Sequence, residues 1–365
     1  MMRLFCLVVS SLFLFACTSE EKASSASEYS ESLDVKYARG FTINKTENGY
    51  FIEVRNPQDT SEILGEYKLS RTDTNEALAI PMEEFVLNST TFGAYFDHLK
   101  VIDRIEGMTY TDRVMNEKIR TRIEDGDIKE VISGDGVDFE TMLQINPDAV
   151  LAYRFGEANF DKYEEVGIPV ILLMEYKESH PLARAEWIKV VGCLTGKESE
   201  ADSIFTEVES AYVETRNQAM LHSSLPSAFT GSKYGDFWYA PGRDSYIAKY
   251  IRDAGARYAF EHIEGQESAE LDFESALENI SQADYWGMLV AHDDEFTKED
   301  VKEMNPLYTN LRSFQEDQIF VCNTSEKDYF GDAIMEPHLI LSDLYQIFHG
   351  RESESYTYHY FNPIP

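Results

Sequence analysis

Basic residues are scarce in this chain. Across 365 residues, 66 aspartates and glutamates face 32 lysines and arginines, for a formal charge of −34. A field of that sign repels phosphate backbones and anionic lipid headgroups, which argues against nucleic acid as a partner. Cysteine is scarce too, with four in all. Long apolar runs are nearly missing, and the one from Leu4 to Phe15 is too short to span a bilayer as a folded helix. The chain has no Gly-x-Ser-x-Gly elbow, no phosphate-cradling glycine loop and no His-Glu-x-x-His, so the motifs of the common hydrolases, nucleotide enzymes and zinc peptidases are absent. Its histidines, His98, His180, His222, His262, His292, His338, His349 and His359, are scattered. A bare zinc or manganese site needs convergent imidazoles and carboxylates, and this spacing argues against one. Two alternatives stay open at this point: such a metal-ion binder, and a secreted hydrolase built on a carboxylate pair that spacing cannot reveal.

What is present begins with an export segment. Arg3 precedes the apolar run, and Leu14-Phe15-Ala16-Cys17 closes it, so residues 1–16 read as a signal peptide. The pattern resembles a bacterial lipoprotein signal, with phenylalanine at the third lipobox position a departure. That resemblance implies that Cys17 is lipidated and becomes the first mature residue. Residues 17–32, rich in Ser, Glu and Ala, then form a flexible tether, because they cannot bury enough surface to fold. Glu20-Glu21 resembles a signal that sorts some lipoproteins to the outer surface. Of the remaining cysteines, Cys193 and Cys322 are expected to be buried and unpaired, as small hydrophobes, in preference to a disulfide.

Residues 33–80 predict a β extension, with Asn48-Gly49 turning a hairpin between Phe41-Thr42-Ile43 and Tyr50 to Val54. From 81 to 181, short apolar runs alternate with amphipathic segments, the pattern of an α/β lobe with an open sheet. Its strands are expected at Phe85-Val86-Leu87, Val131-Ile132, Ala149 to Tyr153 and Val170 to Leu173. Residues 182–222 keep three- and four-residue apolar spacing through Ile188, Val191, Leu194, Ile204, Val208, Ala211 and Tyr212, with Gly192 and Gly196 marking a bend or break. This predicts a long linking helix with one buried face. The α/β grammar resumes from 223 to 365. Asp272-Phe273-Glu274 and Ala283-Asp284 repeat the order of Asp138-Phe139-Glu140 and Pro147-Asp148, a weak internal repeat that suggests two similar lobes.

Several residues then carry a family. The order lobe, spine, lobe, together with Asn146-Pro147-Asp148, Gly167-Ile168-Pro169-Val170, Ala185-Glu186-Trp187-Ile188, Gly192-Cys193-Leu194-Thr195-Gly196-Lys197 and Leu339 to His349, resembles the helix-linked substrate-binding proteins of ABC importers for ferric siderophores, haem and cobalamin. The resemblance implies the class III periplasmic binding protein fold: two Rossmann-like lobes joined by a spine helix, here with the β extension added. It also implies a monomer on the cell envelope, facing the periplasm or the outside, that touches the membrane through its lipid anchor alone. Such a protein is no enzyme and has no resident cofactor. It would deliver an iron complex, a ferric siderophore before a corrinoid or haem, to an ABC permease.

The ligand positions carried over lie at strand ends. In the first lobe they are Ser89, Thr90, Thr91, Tyr110, Arg113, Tyr153, Arg154 and Tyr176; in the second, Trp238, Tyr239, Arg243, Tyr246, His292 and Tyr329. Aromatic faces and planar guanidinium forks suit flat or catecholate rings and anionic chelates. Permease docking falls on Glu140 and Glu274, at matching places in the two repeats.

Overall fold

The computed structural model describes residues 31–72, 76–133, 136–154, 161–350 and 356–365. The export signal, Cys17 and most of the tether lie outside them. Glu31–Ser32, placed by sequence at the end of the tether, instead pair antiparallel with the next strand, Glu31 opposite Lys45.

The β extension is a five-stranded sheet built on two hairpins. Phe41–Lys45 pairs with Gly49–Asn56, which pairs with the longest strand, Asp59–Ser70. A side chain at Gly49 would meet the Leu69 carbonyl oxygen at 2.0 Å, so the crossing requires glycine there. Phe41, Ile43, Ile52 and Val54 alternate onto a fully buried face.

In the first lobe five parallel strands run in the order Val170–Leu172, Ala149–Ala152, Phe85–Leu87, Ile105–Met108, Lys129–Glu130. The second lobe repeats the plan with Arg257–Tyr258, Ser227–Thr230, Tyr285–Val290 and Ile319–Asn323. An antiparallel edge strand, Asn362–Pro363, comes from the tail. Near-continuous apolar strands such as Phe85-Val86-Leu87 are buried on both faces, as doubly covered parallel sheets require.

The expected spine is three helices, Pro181–Glu186, Ile188–Thr195 and Glu198–Ala219. Gly196 ends the second at φ +70°, a left-handed position that favours glycine. Gly192 lets the chain pack tightly around that bend, since a side chain there would reach Ala201 Cβ at 2.6 Å. Only Glu198–Ala219 is long, 22 residues or about 33 Å, and it packs along the last helix, Pro337–His349, where Thr215 and Ser342 hydroxyls meet at 3.3 Å. Cys193 and Cys322 are both buried and free.

The second lobe also carries a three-stranded antiparallel sheet, Lys233–Tyr234, Phe237–Pro241 and Ser268–Asp272. Sequence reading placed Phe237-Trp238-Tyr239 in the α/β grammar of the lobe. It is the middle strand of this separate sheet, and its inner face covers the aromatic core.

Candidate functional site: the cleft between the lobes

In open α/β sheets the carboxyl ends of the parallel strands leave polar backbone exposed for a ligand, and here both sets of ends face the same cleft. After Phe85–Leu87, Ser89 caps a 3-10 turn by accepting the Thr91 N–H at 3.3 Å. Thr91 Oγ1 then donates across the cleft to the carbonyl of Phe330, 2.9 Å away. Asn116 Nδ2 makes a second crossing to Asp332 Oδ1 at 3.1 Å. Beside these bridges is a cavity of about 840 Å³ lined by Thr90, Thr111 and Arg113 of the first lobe and Ala291, Thr324 and Phe330 of the second. Tyr110 stands at its edge in a left-handed conformation, φ 56°, with the Arg113 guanidinium 4.7 Å from its ring.

The floor comes from the short helix Pro181–Glu186. Arg184 stacks on Tyr246 of the second lobe at 4.6 Å, and Tyr95 donates to the Arg184 carbonyl at 2.7 Å. The Tyr246 hydroxyl in turn lies near that of Tyr329. Arg184 Nε and Glu175 Oε2 are both out of solvent and have no hydrogen-bond partner among the described residues. Glu175 is 3% exposed; burial pushes its carboxyl up to about 7 against the pull of Arg184. An unpaired donor and an unpaired acceptor in one buried place are costly, and native sites that keep them usually have a reason.

At the far edge, Tyr153 and Tyr176 meet edge to face at 5.7 Å, and Tyr176 donates to the carbonyl of Arg154 at 2.6 Å. Burial, with nearby Glu175, pushes the Tyr176 hydroxyl up to about 12. A smaller cavity of about 270 Å³ lies here, between Tyr176 and the Ser245-Tyr246-Ile247 helix start.

Of the positions expected from sequence, the structure gathers Ser89, Thr90, Thr91, Tyr110, Arg113, Tyr153, Arg154, Tyr176, Tyr246 and Tyr329 along this cleft. Three fall elsewhere. Trp238 is fully buried among Phe229, Trp286, Phe273 and Tyr308, because the separate antiparallel sheet turns it inward. Tyr239, its alternate neighbour, therefore points outward beside Tyr234. Arg243 is turned to Glu264, at 3.2 Å. His292 sits at the rim next to Ala291, its Nδ1 2.8 Å from the Asp294 carbonyl and its Nε2 4.0 Å from Asp300. The Asp294 carbonyl, then the surrounding aspartates, raise its pKa.

Arg184, Glu175 and Phe330 were missed. Arg184 had a signal: an arginine within the Pro181-Leu182-Ala183 and Ala185 stretch, otherwise apolar and buried. Glu140 and Glu274 are exposed at the starts of matching helices, Phe139–Ile145 and Phe273–Ile280, capped by Asp138 and Asp272.

Among known proteins, an uncharacterized lipoprotein of Methanocaldococcus jannaschii is 25% identical over 300 residues, 79% of this chain and 70% of that one. A second from that organism is 23% identical over 239 residues, 64% of this chain and 60% of its own length. Among solved structures, a possible iron-binding periplasmic solute-binding protein of Staphylococcus epidermidis superposes with a TM-score of 0.57 at 15% identity, over 73% of this chain and 98% of its own. A protein of the ABC-type Fe3+-hydroxamate transport system of Saccharomonospora viridis gives 0.55 at 17%, over 73% and 93%. A periplasmic heme binding protein of Pseudomonas aeruginosa gives 0.58 at 12%, over 74% and 94%. These structures share the two-lobed class III fold. The family model for periplasmic binding proteins matches residues 89–325, from the Ser89 turn through both sheets to the Ile319–Asn323 strand, and the chain belongs to that family.

Proposed function

We propose that this chain is the substrate-binding lipoprotein of an ABC importer and that it holds a ferric siderophore in the interlobe cleft. The observation that carries the choice is Arg184, a cleft-floor guanidinium with a free, dry Nε, stacked on Tyr246 with Tyr329 and Tyr95 nearby. A planar anionic group supplies the missing acceptor oxygen, and arginine binds such groups through its fork. Tyrosine faces add contact for catecholate or hydroxamate arms. The structural neighbours described as iron-binding and Fe3+-hydroxamate proteins support an iron complex as the cargo. In this reading Cys17 anchors the protein at the outer face of a membrane, and exposed Glu140 and Glu274 meet the permease. Binding and delivery, without turnover, are the whole activity.

The test is calorimetric titration of the full chain, with Cys6 and Cys17 replaced by serine, against ferric tris-catecholate, a ferric trihydroxamate, haem and cyanocobalamin. Saturable submicromolar binding of a ferric chelate is expected. Arg184→Met should weaken it about tenfold or more, the loss of at least ~1.4 kcal/mol. Tighter binding of haem or cyanocobalamin would replace the ligand, and binding untouched by Arg184→Met would remove the reason for choosing an anion.

A further inference from the structure

We propose that the tip of the β-extension hairpin, Asn56-Pro57-Gln58-Asp59, is a third wall of the cleft and limits how large a ligand can extend at that edge. The proposal rests on the interlobe cleft being the binding site. The base of the extension is fixed to the linking helices and to the first lobe at several points. Glu186 accepts the backbone N–H groups of Lys36, Tyr37 and Ala38 at 2.8 to 2.9 Å. Glu178 accepts those of Arg39 and Gly40. Tyr67 Oη accepts the N–H of Leu172, on the edge strand of the first lobe's sheet, at 2.9 Å.

From that base the two long strands run out with a register irregularity at Val54, Arg55 and Asn56, the last residues before the tip. Such bulges bend and twist a hairpin. Arg55 holds the bend: its N–H reaches the Gly40 carbonyl at 2.7 Å, and its Nη1 reaches the Thr60 carbonyl at 2.7 Å. Gly40 makes room for the seat. A side chain there would strike Trp187 at 2.7 Å and Pro57 at 2.9 Å, so the proline of the tip rests against the start of the linking helices.

Beyond Pro57, Gln58 Nε2 donates to Glu267 Oε1 of the second lobe at 2.7 Å. The cavity of about 270 Å³ is thus bounded by three separate parts of the chain: Tyr176 from the first lobe, Tyr246, Ile247 and Glu267 from the second, and Gln58 from the extension. The extension takes no part in lining the larger cavity near Arg113 and Phe330. The cleft is therefore open on one side and strapped on the other. A ligand enters beside Arg113, and the strap stops it from protruding past Tyr176. Among the described residues, the solvent-exposed hydrogen bond from Gln58 to Glu267 is what ties the tip to the second lobe, so the strap can lift while its base stays fixed.

The test reads accessibility directly and needs no ligand. In the full chain with Cys6→Ser and Cys17→Ser, and with Cys193 and Cys322 buried, Ile247→Cys places one reactive thiol behind the strap. Its reaction with a small maleimide and with a bulky polymer-linked maleimide is timed in two backgrounds, Pro57→Gly with Gln58→Gly, and Gln58→Ala with Glu267→Ala. The bulky reagent should react several-fold faster in both, while the small reagent changes little. An unchanged bulky-to-small ratio in both backgrounds overturns the strap. The ferric chelate titration separates the two ideas: if wild type binds no chelate while the ratio shifts, the strap stands and the cargo reading falls. If a chelate binds and the ratio does not move, the reverse holds.

Discussion

In the first lobe Asp148, just before the Ala149–Ala152 strand, accepts the N–H groups of Glu83 and Glu84 at 2.7 and 3.1 Å and so pins the start of the neighbouring strand. In the second, Asp284 does the same before Tyr285–Val290, taking the Ser227 N–H and hydroxyl, both at 2.7 Å. The helices that precede them match as well, with Asp138 and Asp272 as caps. The lobes then diverge in what they add. The first receives the β extension and the second receives the C-terminal tail. Each addition is tied down by a helix carboxylate that takes successive backbone N–H groups, Glu186 for residues 36–38 and Asp343 for residues 359–361. A common framework thus sets the cleft, and parts attached from either end of the chain give the lobes their differences.

The two ties are not equal, and breaking each shows by how much. Glu186, 0% exposed, also pairs with buried Lys189 at 3.2 Å. Glu186→Ala should destabilise the protein by about 3 kcal/mol, because it strands three N–H groups and takes the nearer carboxylate from the Lys189 ammonium, which keeps the Asp34 carbonyl at 2.7 Å and Asp202 at 3.5 Å. Asp343 has the N–H groups and the Tyr356 hydroxyl, 2.8 Å away, and burial raises its carboxyl. Asp343→Ala should cost less, roughly 2 kcal/mol, the range for unpaired neutral donors. Urea midpoints at constant m-value would rank them, and equal losses would show that the Lys189 charge does not set the difference.

The framework was legible in the sequence because it rests on local chemistry. Aspartate caps, the Asn48-Gly49 turn, doubly buried strands and left-handed Gly196 all follow from short-range rules, and the repeated Asp-Phe-Glu gave away the second lobe. The cleft was legible only in part. Strand-end residues such as Ser89 to Thr91 were found because parallel sheets put them there. Trp238 was misplaced because an apolar run of three residues reads alike in a parallel sheet and in an antiparallel one. Arg184 carried a local signal, but its partner and that of Gln58 were unreadable for another reason: each acts across more than 60 positions of sequence, Arg184 on Tyr246 and Gln58 on Glu267.

Each lobe also brings a carboxyl toward the cleft, buried Glu175 in the first and half-buried Asp328 in the second, and pH distinguishes them. Glu175 in the first is raised to about 7 by burial. Asp328 in the second is raised to about 6 by burial and then by the nearby Asp332. A carboxyl with a raised folded-state pKa favours the fold most at low pH, below its unfolded value, and that contribution is lost as pH rises through the folded pKa. Glu175 should therefore give stability that falls between about pH 4.5 and 7, by roughly 3 kcal/mol at most. Asp328 should act between about pH 4 and 6. Thermal unfolding across pH 4 to 8 in Glu175→Gln and Asp328→Asn should flatten these two windows separately. A common window would mean that the carboxyls titrate as one group through the closed cleft.

The smallest difference lies in the strand pins. Asp148 is exposed and accepts backbone N–H groups alone, while Asp284 is partly buried and also meets Arg312 at 2.8 Å. For Asp284, burial pulls the carboxyl up, but the Ser227 donors and Arg312 outweigh it and hold it below the usual value. Asp148→Ala should then cost about 1 kcal/mol, a cap-sized loss, and Asp284→Ala about 2 kcal/mol, since a half-exposed ion pair adds little and the Ser227 N–H and hydroxyl lose their acceptor. Hydrogen exchange locates the effect as well as sizing it. Asp148→Ala should speed exchange at Phe85–Leu87 and leave Ser227–Thr230 protected, with the opposite pattern for Asp284→Ala. If either variant loosened both sheets together, the lobes would not be separately folding frameworks, and the additions from the two ends of the chain would be what joins them.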